Sequence, residues 1–243
     1  MSYKNSGRTH EQIQLWGGPA SLWTGRVRSY FIKKRIDYQE IRPAVERYRT
    51  EIYPLLGYFA VPVTELQDGT VIQDGTDTME YFEARYPDRP MIPATPLQKS
   101  VAWLIGLFGN DLFFIPAMHY RWNFPEQDEF IENEFARIAS LHTEREQQLA
   151  DIEPTREFFR DFPRRMGITA DTIPAIEASH IECLETLNEH FNYHPYVLGG
   201  RPSIADFGLI GPLYAHLGRD PVPADLMKKI SPHVYRFYLS EHV

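Results

Sequence analysis

One cysteine, Cys183, is all that 243 residues contain. No intramolecular disulfide, dithiol redox pair or cysteine-rich metal site can be built from it, which excludes a dithiol oxidoreductase. Basic clusters are equally scarce. Lys33–Lys34–Arg35 is the most basic short stretch, and the formal net charge is −8, so no nucleic-acid partner is expected. No signal-peptide core is evident, and no apolar run near the roughly 18 residues of a membrane span. Polar residues fill Met1–Gln12, which reads as a frayed end, and the expectation is a cytoplasmic protein with no membrane partner. His190 and His194 lie four apart without an obvious third ligand, so no metal is expected. A hydrophobic share of 43% against 24% charged residues places the chain among globular proteins rather than disordered ones. The 14 Tyr and 15 Phe suit thick helical packing.

Gln12–Trp16 alternates polar and apolar residues and runs into Gly17–Gly18–Pro19, the pattern of a short strand ending in a turn. Ser21 or Thr24 then opens a helix with Val27, Tyr30 and Phe31 on one face and Lys33 and Lys34 in its last turn, complementing the helix dipole. Asp37–Ile41 reads as a second strand, and Arg42–Tyr58 as a poorly patterned connection. Phe59–Leu66 is β-prone but encloses Pro62, which marks an edge strand or a special peptide bond. Asp68–Gly69 turns the chain back into Thr70–Gln73, and Asp74–Tyr86 is helical.

The order is βαβ followed by ββα. A proline-dense stretch, Pro87–Pro96, then separates it from helices expected at Leu97–Trp122 (kinked or broken at Pro116), Glu126–Asp151, Thr172–Phe191, Ser203–His216 and Ala224–Tyr238. The fold class is α+β, with domains at 9–88 and 96–240. Ser203–Ile–Ala–Asp206 has the form of a capping box.

Four stretches resemble the glutathione transferases. Leu15-Trp-Gly-Gly-Pro-Ala-Ser-Leu-Trp-Thr-Gly-Arg-Val-Arg28 is similar to the family's S-x-x-[SC]-x-[RK]-V-R helix start. Val61-Pro62-Val63 before a hairpin is similar to its V-P-x-L. Val71–Pro87 follows its I-x-[ED]-S-x-x-I-x-x-Y-L-x-x-x-Y-P pattern, and Leu198–Phe207 its L-G-G-x-x-[ST]-x-A-D segment. The resemblance implies a thioredoxin-like N-terminal domain followed by an all-α domain, with glutathione as co-substrate and a homodimer as the assembly. It also implies a cis Val61–Pro62 bond that turns the Val61 backbone outward to pair with the cysteinyl part of glutathione like an added strand. Asp74 and Gly75 stand at a helix N-terminus, where the dipole and free N–H groups favour an anion; the resemblance implies that the γ-glutamyl carboxylate of glutathione binds there, with Asp74 taking the amino group. Gly75 replaces the family's usual serine, and Ala60 stands where many members carry Lys or Gln.

A thiol with a pKa of about 8.5 is a poor nucleophile at neutral pH, so the site must stabilise the thiolate of glutathione. By alignment on Arg26–Val27–Arg28, the hydroxyl that does so is Ser21, with Thr24 as the substitute one turn on; a role as a plain helix cap for Ser21 remains open. Trp16 stands where tyrosine-type members keep their catalytic tyrosine, and no cysteine stands near position 21. Trp23 joins Val61, Pro62, Asp74 and Gly75 as a glutathione-binding residue. The second substrate, a small hydrophobic electrophile, would meet Phe108, Asn110, Leu112, Phe114 and Tyr120 between the domains. The leading expectation is a glutathione-dependent transferase or lyase; the alternative is a non-catalytic binding or interaction protein of the same fold.

Overall fold

The computed structural model describes residues 11–240 and the backbone of residues 2–4. Five strands form one mixed sheet: β1 (Ser2–Lys4), β2 (Ile13–Trp16), β3 (Tyr38–Ile41), β4 (Val63–Glu65) and β5 (Thr70–Gln73), in the order β1-β5-β4-β2-β3. β2 and β3 are parallel and joined through helix α1 (Leu22–Lys34); β4 pairs antiparallel with both β2 and β5. Gly69 closes the β4–β5 hairpin at φ 78°, a conformation a side chain would resist. This is the βαβ-ββα order expected from the sequence. β1 is an addition: Ser2–Lys4 pairs antiparallel with β5 inside the stretch read as frayed.

The connection between β3 and β4 is also more ordered than its pattern suggested. Residues 48–52 form a wide turn closed by the Tyr53 N–H on the Tyr48 carbonyl, and helix α2 (Tyr53–Leu56) follows. Helix α3 (Gly75–Arg85) then packs beside α1.

Beyond the proline-dense linker lie helices α4 (Pro96–Leu107), α5 (Phe114–Trp122), α6 (Asp128–Ala139), α7 (Arg145–Arg165), α8 (Ile173–Tyr193), α9 (Ile204–Pro212), α10 (Pro221–Ile230) and α11 (Pro232–Ser240). Three of the expected helices are divided, for local reasons. The 97–122 helix does break, but at 108–113, where the Phe113 N–H reaches the Phe108 carbonyl, ahead of Pro116. Pro116 sits in the first turn of α5, where its missing N–H costs nothing; its ring conflicts instead with the carbonyl four residues earlier, at Leu112. The expected 126–151 helix ends at Ala139, and α7 runs on through Pro154 and Pro163. The last expected helix is two, divided at Ser231 before Pro232.

One apolar core passes through both halves. Leu15, Val27, Phe31, Ile72 and Phe82 on the sheet side pack with Ala102, Ile204 and Phe207 on the helical side. Helix α9 is the wedge. A Cβ on Gly208 would lie 2.5 Å from the Gly106 Cα, and one on Gly109 would lie 2.5 Å from the Gly208 carbonyl carbon. Only backbones without side chains allow so close a crossing.

The stretch Pro96–Trp122 corrects one further expectation. An 18-residue window of it has a mean hydropathy of 1.6, which matches a membrane span by length and composition. Here it is folded as a broken pair of helices seated on α9. The capping box opens α9: the Asp206 carboxylate accepts from the Ser203 N–H at 2.8 Å and from the Val197 N–H at 2.7 Å. Burial holds that carboxyl up at about 6.

Candidate active site

The sheet register gathers the site. Trp16 pairs with Val63, and Val63 pairs with Gln73, so the three strands end in one row. The segments that leave this row are the 17–21 turn, the Val61–Pro62 dipeptide and the Asp74–Gly75 helix start. Sequence places them far apart; the register brings them to one end of the sheet. The Val61–Pro62 bond is cis, in agreement with the resemblance.

Ser21 is the N-cap of α1. Its backbone is extended (φ −94°, ψ 116°), and its Oγ accepts the Thr24 N–H at 3.2 Å. A hydroxyl has one proton and two lone pairs, and this bond uses only a lone pair. Among the described residues no acceptor takes the Ser21 proton, and the side chain is half-buried rather than sealed. Capping and donation to a thiolate are therefore compatible roles. Among the described residues α1 has no acid in its first turn, so its dipole and the hydroxyl act in the same sense on an anion.

Thr24 is placed differently from its expected role. It is fully buried, its Oγ1 has no partner, and it packs so closely on Gly17 that a Cβ there would lie 2.3 Å from it. It supports the turn from below and has no face toward a ligand. Trp16 is committed as well: it is fully buried and its Nε1 donates to Glu65 Oε2 at 3.2 Å.

At the second segment, the Tyr48 hydroxyl donates to the Ala60 carbonyl at 2.6 Å and accepts the Ala60 N–H at 3.0 Å. Tyr48 thereby pins the chain just before the cis bond, a role that no local pattern in Arg42–Tyr58 announces. Val61 is half-buried, and among the described residues its backbone N–H and C=O have no hydrogen-bond partner. A backbone segment with both groups unpaired is what strand addition by a peptide-like ligand requires.

At the third segment, Asp74 caps α3, accepting the Thr76 N–H at 2.6 Å and the Asp77 N–H at 3.3 Å. The Gly75 N–H has no partner among the described residues. A Cβ on Gly75 would lie 3.2 Å from Val27, so α1 crowds the position where the family's serine stands. Arg26, also buried, reaches this point from α1 and donates to Thr76 Oγ1 at 3.2 Å and Asn110 Oδ1 at 3.4 Å. Burial lowers its pKa, with Asp74 and Asp111 opposing.

The proposed acceptor residues divide. Trp23 is partly exposed and its ring lies 5.0 Å from that of Phe114 across the domain junction, so these two form a shared apolar wall. The α7 residues Phe158 and Phe162 extend it, Phe162 lying 6.1 Å from Phe114; the sequence reading missed them because α7 was not expected there. Phe108 and Leu112 are exposed on the outer side of the broken helix. Asn110 is engaged with Arg26 and Asp111. Tyr120 is a correction: it is buried in the helical core, stacked on Phe124 at 5.3 Å, and does not face the junction. Cys183 is half-buried and burial pushes its thiol up to about 11, which leaves it unreactive. Among the described residues no group of three or more His, Cys, Asp or Glu is placed to hold a metal. A cavity of about 610 Å³ lies at the other end of α1, around Lys33, Arg89 and Arg201, away from all of these residues.

A thioredoxin-like sheet with a cis-proline strand beside two helix N-termini, wedged onto an all-helical half, defines the glutathione-transferase fold. Residues 15–90 match the family described as the glutathione S-transferase N-terminal domain. Among solved structures, the β-etherase LigF from Sphingobium sp. strain SYK-6 is similar at TM-score 0.63 and 17% identity, with 94% of each chain covered. A glutathione S-transferase from Rhodospirillum rubrum F11 is similar at TM-score 0.57 and 16% identity, covering 93% of this chain and 86% of that one. Another, from Methylobacterium radiotolerans and solved in complex with glutathione sulfonate, is similar at TM-score 0.56 and 14% identity, covering 94% and 89%. No curated protein matches the sequence.

Proposed function

We propose that this protein is a glutathione-dependent enzyme of the serine type, acting on a small hydrophobic electrophile. The observation that carries the reading is the Ser21 hydroxyl, which caps α1 with a lone pair and keeps its proton for an acceptor. In this reading the cysteinyl backbone of glutathione pairs with Val61, and its γ-glutamyl carboxylate takes the Gly75 N–H. The Asp74 carboxylate, with lone pairs to spare beyond its cap bonds, takes the amino group. The thiolate then lies between the Ser21 hydroxyl and the Trp23–Phe114 wall, where the electrophile would bind. The alternative, a binding protein of the same fold, draws on Ala60, which offers no side-chain contact to the peptide.

Calorimetric titration with glutathione is the direct test. Binding that is weakened at least tenfold by Asp74→Ala supports the arrangement. No binding at millimolar glutathione overturns it.

The reading extends to a homodimer. The exposed side chains Leu97, Leu104, Phe108 and Leu112 follow one another along the broken helix 96–112, a face that a second copy would cover. Sedimentation giving a monomer at micromolar concentration would rule this out.

A further inference from the structure

The turn that carries Ser21 is held from the other half of the molecule. Arg121, near the end of α5, is almost completely buried and makes a two-pronged pair with Asp220: Nε to Oδ2 at 2.7 Å and Nη2 to Oδ1 at 2.8 Å. Its remaining nitrogen, Nη1, donates to the carbonyl of Ala20 at 2.9 Å. Nη2 also donates to the carbonyl of Ala215. All five guanidinium protons point into a fixed fork, so the acceptors are aligned by one rigid plane.

Ala20 immediately precedes Ser21, and its carbonyl lies outside the helix, where no helical N–H can reach it. The N–H of the same peptide donates to the Gly18 carbonyl at 3.1 Å, and the Ser21 carbonyl accepts the Gly25 N–H at 2.9 Å. Both peptide planes flanking Ser21 are thereby fixed, and Arg121 supplies one of the three bonds. With the planes set, the direction of the Ser21 Cα–Cβ bond is set too. The helical half also presses on the turn at Gly18, where a Cβ would lie 2.7 Å from Ile138.

A buried ion pair is weak evidence for stability, since apolar replacements of similar volume are often neutral or better. Its geometry here has a more specific consequence. We propose that Arg121, held by Asp220, is a positioning residue that aims the Ser21 hydroxyl by fixing the Ala20–Ser21 peptide. This rests on the reading of Ser21 as the thiolate donor, and it makes the helical half a part of the thiolate-stabilising machinery as well as a wall for the second substrate.

The experiment is a thiolate absorbance titration of bound glutathione in wild type, Ser21→Ala, Arg121→Met and the Ser21→Ala/Arg121→Met double variant, with glutathione affinity measured alongside. Loss of the Ser21 bond is expected to raise the thiol pKa by roughly one to two units. Arg121→Met is expected to raise it by roughly half as much while affinity stays within about twofold, because the Val61 and Gly75 contacts lie outside the turn. In the double variant Arg121→Met should add nothing beyond Ser21→Ala. If Arg121→Met does not fold, Arg121→Met/Asp220→Met removes both charges and still leaves the Ala20 carbonyl unheld; the same shift is expected. Should Ser21→Ala shift the pKa and neither Arg121 variant do so, the positioning role is overturned and the Ser21 reading stands. Additive shifts in the double variant overturn it equally, since Arg121 would then act elsewhere. An unchanged pKa in Ser21→Ala overturns the Ser21 reading itself and the positioning role with it.

Discussion

The two ends of the proposed glutathione site are built by different means. At the γ-glutamyl end, Asp74 caps its own helix through bonds to residues two and three positions on, and the cis Val61–Pro62 segment is pinned by Tyr48 twelve residues away. Everything needed there belongs to the sheet half, apart from the reach of Arg26 to Asn110. At the thiol end, the Ser21 cap is just as local, but the peptide before it is held by Arg121, 101 residues on, paired in turn with Asp220. On the proposed reading, binding and activation have separate structural supports. Damage to the helical half should weaken the chemistry at the thiol before it weakens the grip on the peptide.

The largest expected effect attacks that long-range support. Asp220→Ala leaves Arg121 as an unpaired charge in the core, and urea unfolding should show a loss of about 3–5 kcal/mol. A loss below about 1 kcal/mol would mean that the pair is solvated and the contrast between the two ends is overstated.

Acid provides a second probe, because every histidine but His10 lies at or after position 119. His180 is buried with neither ring nitrogen partnered, and burial drives its pKa down to about 4. The folded state therefore keeps it neutral while the unfolded chain takes up a proton below about 6.5. Its contribution is complete above that pH and is lost as pH falls toward about 4, amounting to about 3 kcal/mol. His216 is shifted in the same direction by burial and by Arg121. Asp206, held up at about 6, works in the opposite sense and gains as pH falls. The clean measurement is thus a difference: His180→Leu should lose about 3 kcal/mol less than wild type between pH 7 and pH 4. Parallel pH profiles for the two proteins would show that His180 is solvated.

Ser21 can be split into its two roles. Glycine is almost as good an N-cap as serine, whereas alanine costs roughly 1 kcal/mol. Ser21→Gly should therefore unfold within a few tenths of a kcal/mol of wild type and still raise the bound thiol pKa as far as Ser21→Ala does. A pKa that tracks stability across the two variants would reduce Ser21 to a cap.

The smallest effect is expected at the other end. Gly75→Ser restores a hydroxyl next to the proposed carboxylate site at the cost of a 3.2 Å approach to Val27. One neutral hydrogen bond is worth about 0.5–1.5 kcal/mol, so glutathione affinity should rise by roughly two- to tenfold with no change in thiol pKa. A change in pKa would break the separation of the two ends.

Much of the architecture was legible in the sequence because it is written in short-range rules. The Asp68–Gly69 hairpin, the Asp74 cap and the Ser203–Asp206 box each depend on residues two or three positions apart, where the side chain competes for a nearby backbone group whatever the rest of the chain does. Ser21 as a cap belongs to the same class. Other features needed the folded chain. The break at 108–113 follows from Pro116 together with the glycine crossing onto α9, and Tyr120 is core because Phe124 and His180 close over it. Tyr48 gains a role only when the Ala60 segment bends back to its hydroxyl. By itself the sequence determined the βαβ-ββα order of the sheet half and the hydroxyl at the head of α1. Which way that hydroxyl points is, on the proposed positioning role, decided by Arg121, 101 residues on from Ala20, because its bond to the Ala20 carbonyl exists only after the helical half has packed against the sheet and excluded water from it.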